Sequence, residues 1–185
     1  MTALSPWRRG QLGLLLDNAG VIAYPTEGVW GLGCLPASEA AVMHLLDLKQ
    51  RDWRQGLLLV ASGIDQVAPY LEGLSDDDWR VLASAWPGPT TYLVPDNGLA
   101  PAWIVGNHNT LGLRVSQHPL VRQLCDWFGP LVSTSANISG HPSATSALEV
   151  RRYFGAGIDA LVPGQLGGAS GPSRIVHLQS GQVIR

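Results

Sequence analysis

Lys49 and Arg51 close a helical segment with two cations one residue apart, and there residue type and spacing could first do chemistry. Cations at that point either complement the helix macrodipole in solvent or reach into a cleft and hold phosphate. Ser133, Ser135 and Asn137 alternate just after the apolar run Leu131-Val132. Hydroxyl and carboxamide groups there serve a polar ligand, or else bond the backbone of their own turn. A third stretch, Tyr24-Pro25-Thr26-Glu27-Gly28-Val29-Trp30-Gly31-Leu32-Gly33, follows the apolar Val21-Ile22-Ala23. A polar turn at a strand end is where open α/β sheets place ligands, and Gly28, Gly31 and Gly33 remove Cβ atoms that would hold a bound group away. The simpler alternative is a tight turn with a bulge and no ligand. Arg114 interrupts the apolar run Leu111 to Val115, and no acidic residue lies between Asn97 and Leu124. A buried arginine needs a partner, so either a carboxylate comes from elsewhere in the fold or the partner is a ligand's carboxylate.

Several familiar chemistries lack their patterns. There is no G-x-x-x-x-G-K-[ST], G-x-G-x-x-G or H-E-x-x-H. The serines of residues 133–139 lack the G-x-S-x-G elbow and an assignable histidine base, which argues against a serine hydrolase. Cys34 and Cys125 form no C-x-x-C pair, so each is expected to be a small buried hydrophobe. The five scattered histidines and two cysteines specify no metal cluster by their spacing, and no metal ligands are assigned. Of the seven tryptophans, Trp79, Trp86 and Trp127 fall in apolar helical stretches, while Trp30, Trp53 and Trp103 are expected in loops as surface aromatics. Trp7 fits either place.

The elements that must position these groups follow from periodicity and caps. Ser5-Pro6 opens a helix with Leu12, Leu15, Leu16 and Ala19 at helical spacing. Ser38 caps a second, striped by Ala41, Val42, Leu45 and Leu46, which delivers Lys49 and Arg51. Leu57 to Ala61 is a strand with both faces buried. Ser75 and Asp78 form a capping box with Asp in place of Glu, and Pro87-Gly88-Pro89 ends that helix. Strands at Thr90–Val94, Leu111–Val115 and Leu131–Thr134 alternate with helices opened by His118-Pro119 and by Thr145 or Ser146. Asp159 to Val162 is a further short strand. The glycine-rich 163–172 is expected as a mobile loop before a terminal hairpin around Ser180-Gly181. The alternation implies an α/β sheet flanked by helices, with antiparallel pieces near the end and no strand order specified.

The length fits a single domain over 1–185. Hydrophobic residues at 45% and charged residues at 14% exclude a disordered chain. No apolar run is long enough for a membrane helix, and Leu12 to Leu16, followed by Asp17, is too short for a signal peptide, so the expectation is a soluble cytoplasmic protein. A net charge of -2 gives no global attraction to nucleic acid, yet a local basic patch remains possible.

In order along the chain stand Pro25 to Gly33, Lys49-Gln50-Arg51, Trp86-Pro87-Gly88-Pro89-Thr90, Leu113-Arg114-Val115, Ser133 to Asn137 with Ile138-Ser139-Gly140, and Pro172-Ser173. This combination strongly resembles the YrdC/TsaC family of threonylcarbamoyl-AMP synthases, over about residues 20 to 176. The resemblance implies a YrdC-like α/β fold, a twisted open mixed sheet flanked by helices with a concave basic cleft. It implies L-threonine, bicarbonate and ATP as substrates, threonylcarbamoyl-adenylate and pyrophosphate as products, Mg2+ accompanying ATP, and t6A modification of tRNA as the destination. Lys49, Arg51, Ser135 and Asn137 match the family's K-x-R and S-x-N elements. Thr26, Arg114 and Ser133 fall where threonine is held, and Thr110, Ser143 and Ser173 where nucleotide is contacted. Implied partners are downstream transfer proteins of the TsaD/TsaB/TsaE type, with a tRNA or RNA contact through the basic cleft, and the chain resembles the short form without a further C-terminal domain. The competing class is an RNA-binding or ribosome-maturation module without turnover. The chain departs from the family at Asp52, Trp30 and Gly28, and Asp52 is placed to pair with Arg51 and weaken its field.

Overall fold

The computed structural model describes residues 4–185. Helix α1 (Pro6–Asp17) leads into the hairpin β1 (Ile22–Pro25) and β2 (Trp30–Gly33), followed by α2 (Glu39–Lys49), β3 (Leu58–Ala61), α3 (Asp76–Ala85) and β4 (Thr90–Pro95). The short α4 (Ala102–Val105) precedes β5 (Thr110–Val115), α5 (Pro119–Phe128), β6 (Leu131–Ser135), α6 (Ala147–Phe154), β7 (Ala160–Leu161) and β8 (Arg174–His177). The expected caps are in place. The side chains of Ser5, Ser38 and Ser146 accept backbone N–H bonds at three helix starts, and Ser75 and Asp78 form the reciprocal capping box.

One mixed sheet runs in the order β7-β1-β2-β6-β3-β5-β4-β8. Two features depart from the sequence expectation. Residues 30–33 are a strand and not an extended turn, so of Gly28, Gly31 and Gly33 only Gly28 belongs to the connection between β1 and β2. Trp30 accordingly is a core residue, 3% exposed, and no surface aromatic. Gly33 is glycine because a Cβ there would meet the Val132 carbonyl at 2.6 Å and the Tyr24 hydroxyl at 2.8 Å.

Register decides what lies on each face. Tyr24 pairs with Gly31 and Gly31 with Ser135, and Ser133 pairs with Leu58, Leu58 with Gly112 and Gly112 with Leu93. Side chains alternate along a strand, so these residues and those two positions away share one face, including Arg114, Thr110 and Thr91. On the other face Ala23, Leu32, Leu59, Leu113 and Val132 build a core with Val42 and Leu45 of α2, Leu82 of α3 and Val150 of α6. On the first face, Leu12 and Leu16 of α1 with Leu120 and Leu124 of α5 cover Ile22, Tyr24, Val60 and Leu131. The remainder of that face, on β3, β5, β4 and the end of β6, is the floor of a cleft.

Candidate active site

The cleft has two connected parts that share Leu58, Ser133, Thr134, Ser135 and Arg185. The larger, about 310 Å3, is lined by Arg51, Thr110, Gly112, Ser135, His108 and Ile184 among others. The smaller, about 40 Å3, is lined by Thr26, Arg114, Ser133 and Ser173. Among the described residues no acidic side chain lines either part. A larger open groove of about 940 Å3 lies away from this floor, between α1 and α5, and contains none of these residues.

Lys49 is 2% exposed, and its ammonium lies beneath the loop after β6, donating to the Ser135 carbonyl and, at 2.8 Å, to the Asn137 carbonyl. Ser139 N–H donates to the Lys49 carbonyl at 2.8 Å, so the end of α2 and the Ser-x-Asn loop are tied twice. Two of the three ammonium protons are thereby used, and neither Lys49 nor Asn137 lines either part of the cleft. Burial, helped by the charge of Arg51, pulls the Lys49 pKa down to about 7. Ser135 Oγ donates to Asn137 Oδ1 at 2.6 Å, and Asn137 Nδ2 donates to the Ile138 and His141 carbonyls, each at 2.9 Å. The local bonds that were the simpler alternative for this loop are therefore real, and they fix its side chains in place.

Gln50 adopts the left-handed conformation that ends α2 and turns Arg51 toward the cleft. Arg51 donates to the Gly56 carbonyl at 3.0 Å. Asp52 does not pair with it. Asp52 instead caps the next turn through Arg54 N–H at 2.9 Å and forms an ion pair with Arg54 at 3.3 Å, so Arg51 keeps its field. Burial first, and then the nearby charge of Arg185, lower the Arg51 pKa.

Thr26 Oγ1 donates to the Val29 carbonyl at 2.7 Å and closes the turn between β1 and β2. Arg114, 7% exposed, donates from Nε to the Gly88 carbonyl at 3.2 Å and forms an ion pair with Glu27. Glu27 Oε1 also accepts from Ser116 Oγ at 2.7 Å and from Gln117 N–H at 3.2 Å. Burial works to raise the Glu27 pKa, but the charge and hydrogen bond of Arg114, with Ser116, outweigh it and hold the carboxyl below its usual range. Ser173 Oγ lies 2.9 Å from Thr91 Oγ1 at the start of β8. Ser143 is half-buried in the loop before α6 and lines neither part of the cleft.

The segment 163–173 crosses the turn as a strap. Gly167 N–H donates to the Thr26 carbonyl at 3.0 Å and Ala169 N–H to the Glu27 carbonyl at 2.9 Å, so the expected free loop is held at two points. A Cβ on Gly28 would fall inside the van der Waals envelope of the Gly171 carbonyl.

Sequence reasoning missed two residues. Glu27 stood inside the polar turn, and the missing carboxylate partner of Arg114 was the signal that could have joined the two. Arg185 gave no local signal. It reaches the cleft because the last residues return antiparallel to β8, with Ile175 N–H donating to the Arg185 carbonyl at 2.9 Å.

The sequence model named Sua5_yciO_yrdC, described as "Telomere recombination", matches residues 14–185. A protein of Stutzerimonas stutzeri named threonylcarbamoyl-AMP synthase is 48% identical over 182 residues, 98% of each chain. One of the same name from Chromohalobacter salexigens is 53% identical over 171 residues, 92% of each. Among solved structures, P. abyssi Sua5 complexed with L-threonine superposes with a TM-score of 0.90 at 26% identity, covering 100% of this chain and 55% of that one. E. coli YciO superposes with a TM-score of 0.84 at 20% identity, covering 99% of this chain and 90% of that one, a likeness of fold.

Proposed function

The chain belongs to the Sua5/YciO/YrdC family, and on that premise we infer that it is a threonylcarbamoyl-AMP synthase, joining L-threonine, bicarbonate and ATP into threonylcarbamoyl-adenylate with release of pyrophosphate. The observation that carries the reading is the division of one sheet face. Its smaller part offers a guanidinium among hydroxyls, suited to an amino acid, and its larger part offers Arg51 and Arg185 beside apolar Ile184 and Leu93, suited to a nucleotide.

In this reading Arg114 holds the threonine carboxylate, with Thr26 and Ser133 beside it. Lys49 and Arg51 hold the phosphates, Ser135 and Asn137 orient the α-phosphate or ribose oxygens, Thr110 and Ser173 contact the nucleotide from the cleft lining, and Ser143 reaches it from outside that lining, in the loop before α6. The threonine amine attacks carbon dioxide with loss of a proton, or bicarbonate with loss of water, and the carbamate oxygen then attacks the α-phosphorus, with pyrophosphate as leaving group. Both steps need positioning and charge neutralisation more than a protein nucleophile. Among the described residues no group of His, Cys, Asp and Glu could hold a metal, so the cleft supplies no ligand set for a resident ion. Mg2+ fits as part of the substrate MgATP, bound to phosphate oxygens. Among the described residues no helix is long and apolar enough to cross a membrane. The reading makes the product an intermediate for t6A transfer to tRNA by proteins of the TsaD/TsaB/TsaE type, in the cytoplasm, with tRNA contact through the same cleft.

The test is pyrophosphate release, with ATP, threonine and bicarbonate omitted in turn. Release that needs all three supports the synthase. Salt-sensitive RNA binding with no ATP-dependent release would replace it by the RNA-binding module.

A further inference from the structure

The cleft would bind two ligands of unlike charge. ATP is a polyanion, while threonine is a zwitterion that offers one carboxylate. Four cations stand in or under the cleft, Lys49, Arg51, Arg114 and Arg185, and among the described residues only Arg114 has a carboxylate within ion-pairing distance. That carboxylate is Glu27, 5% exposed, and it does not line the cleft. Its position is fixed from behind by Ser116 and Gln117, which sit beyond the end of β5 and bond the oxygen turned away from Arg114. The pair is therefore built to stay formed, with the turn between β1 and β2 delivering the acid and β5 delivering the base.

We propose that Glu27 is a positioning residue that sets ligand choice, cancelling the net charge of Arg114 so that its remaining donors serve a monoanionic carboxylate and not polyphosphate. The proposal rests on the assignment of Arg114 to threonine. Arg185 is why such a device is needed, because it lines both parts of the cleft and its charge is felt by Arg51 on one side and responds to Arg114 on the other. Without Glu27, Arg114 and Arg185 would form a second dicationic site beside the first, and phosphate would compete where threonine belongs. With Glu27, the two sites differ in charge although they share a wall, and hydrogen-bond geometry decides at Arg114 where electrostatics decides at Arg51.

Calorimetric titration of threonine in the presence of inorganic pyrophosphate tests this on the whole chain. In the wild type, pyrophosphate at about a hundred times its own Kd should leave the threonine Kd nearly unchanged. Glu27→Gln keeps the shape and loses the charge, and there the same pyrophosphate should raise the apparent threonine Kd about tenfold or more. Glu27→Asp keeps the charge, and even if it binds threonine less well it should show no competition. Competition in the wild type, or none in folded Glu27→Gln, overturns the proposal. If Glu27→Gln fails to fold, Glu27→Met, neutral and of similar length, takes its place, and a folded Glu27→Met without competition overturns the proposal, as competition in the wild type or in Glu27→Asp does. Arg114→Lys separates this from the underlying assignment. Unchanged threonine affinity in that variant defeats the role of Arg114 itself. Weakened threonine binding there, with Glu27→Gln behaving as the wild type, defeats only the role of Glu27.

Discussion

Arg114 sits where a small error in geometry has a large cost, because its guanidinium is almost fully buried and its Nε and one Nη group are committed to Gly88 and Glu27. A lysine at this position could keep a charge but not the planar fork, so Arg114→Lys should raise the KM for threonine by the equivalent of roughly 1.5–3 kcal/mol and leave that for ATP nearly unchanged. Equal losses for both substrates with an intact circular dichroism spectrum would defeat the assignment. Lys49 leads to a pH effect. Its pKa falls from the ordinary 10.5 to about 7 in the folded, empty protein. Above that value the amine is largely neutral, whereas bound phosphate favours the ammonium, so ATP binding at pH 8 should take up a proton and weaken as pH rises further. Calorimetry in buffers of different ionisation enthalpy measures the uptake, which Lys49→Met should abolish. The stability linkage has the matching sign. Between about 7 and 10.5 the unfolded chain binds more protons at this site, so its contribution to stability rises with pH across that window. Lys49 is the only lysine of the chain, so a lysine-selective label follows it without overlap. The motif residues were legible as types and spacings, but the pairing of Arg114 with Glu27 was not, because nothing local marks a turn and a distant strand that the fold later brings together.

At the scale of elements, the helices declared themselves through caps, and the strap did not. Ser5, Ser38, Ser75 and Ser146 each preceded an apolar stripe and each makes its capping bond. Strand β2 was hidden because Trp-Gly-Leu-Gly has the composition of a turn, and its identity as a strand depends on pairing with β6. The short α4 was hidden because a single turn after Pro101 carries no periodicity. Glycine content in 163–172 suggested mobility, but composition does not reveal that Thr26 and Glu27 present free carbonyls to it. The Gly167 and Ala169 amides should therefore show hydrogen-exchange protection in the empty protein, and Gly28→Ala should remove it. The added methyl group has no room against the Gly171 carbonyl, and overpacking of this kind typically costs about 1–3 kcal/mol. The same variant should raise the threonine KM, because Pro172 and Ser173 at the end of the strap line the smaller part of the cleft. Unchanged exchange at both amides in Gly28→Ala would show that the strap does not rest on this turn.

At the scale of the molecule, the alternation within each strand divides the apolar residues between two cores separated by one sheet, and each core holds one cysteine. Cys34 lies in the core that includes α2, α3 and α6, and Cys125 in the one formed with α1 and α5. Both side chains are fully buried, and burial raises each thiol to about 12. A thiolate is the reactive form, so neither should react with an aromatic disulfide at pH 8 until its core opens. The two cores share strands β1, β3 and β6, and opening one exposes the back of the other. One cooperative unit over the chain therefore predicts that both cysteines label with the same opening free energy, since only global unfolding reaches either. ATP and threonine, each at about a hundred times its Kd, should then slow both labelling reactions by the same factor, on the order of a hundredfold for each ligand that binds only the folded state. Mass spectrometry of each cysteine-containing peptide after timed labelling measures the two rates separately. A faster Cys125 that the ligands leave unprotected would mean that α1 and α5 open as a unit of their own, while the cleft farther along the same sheet face stays assembled.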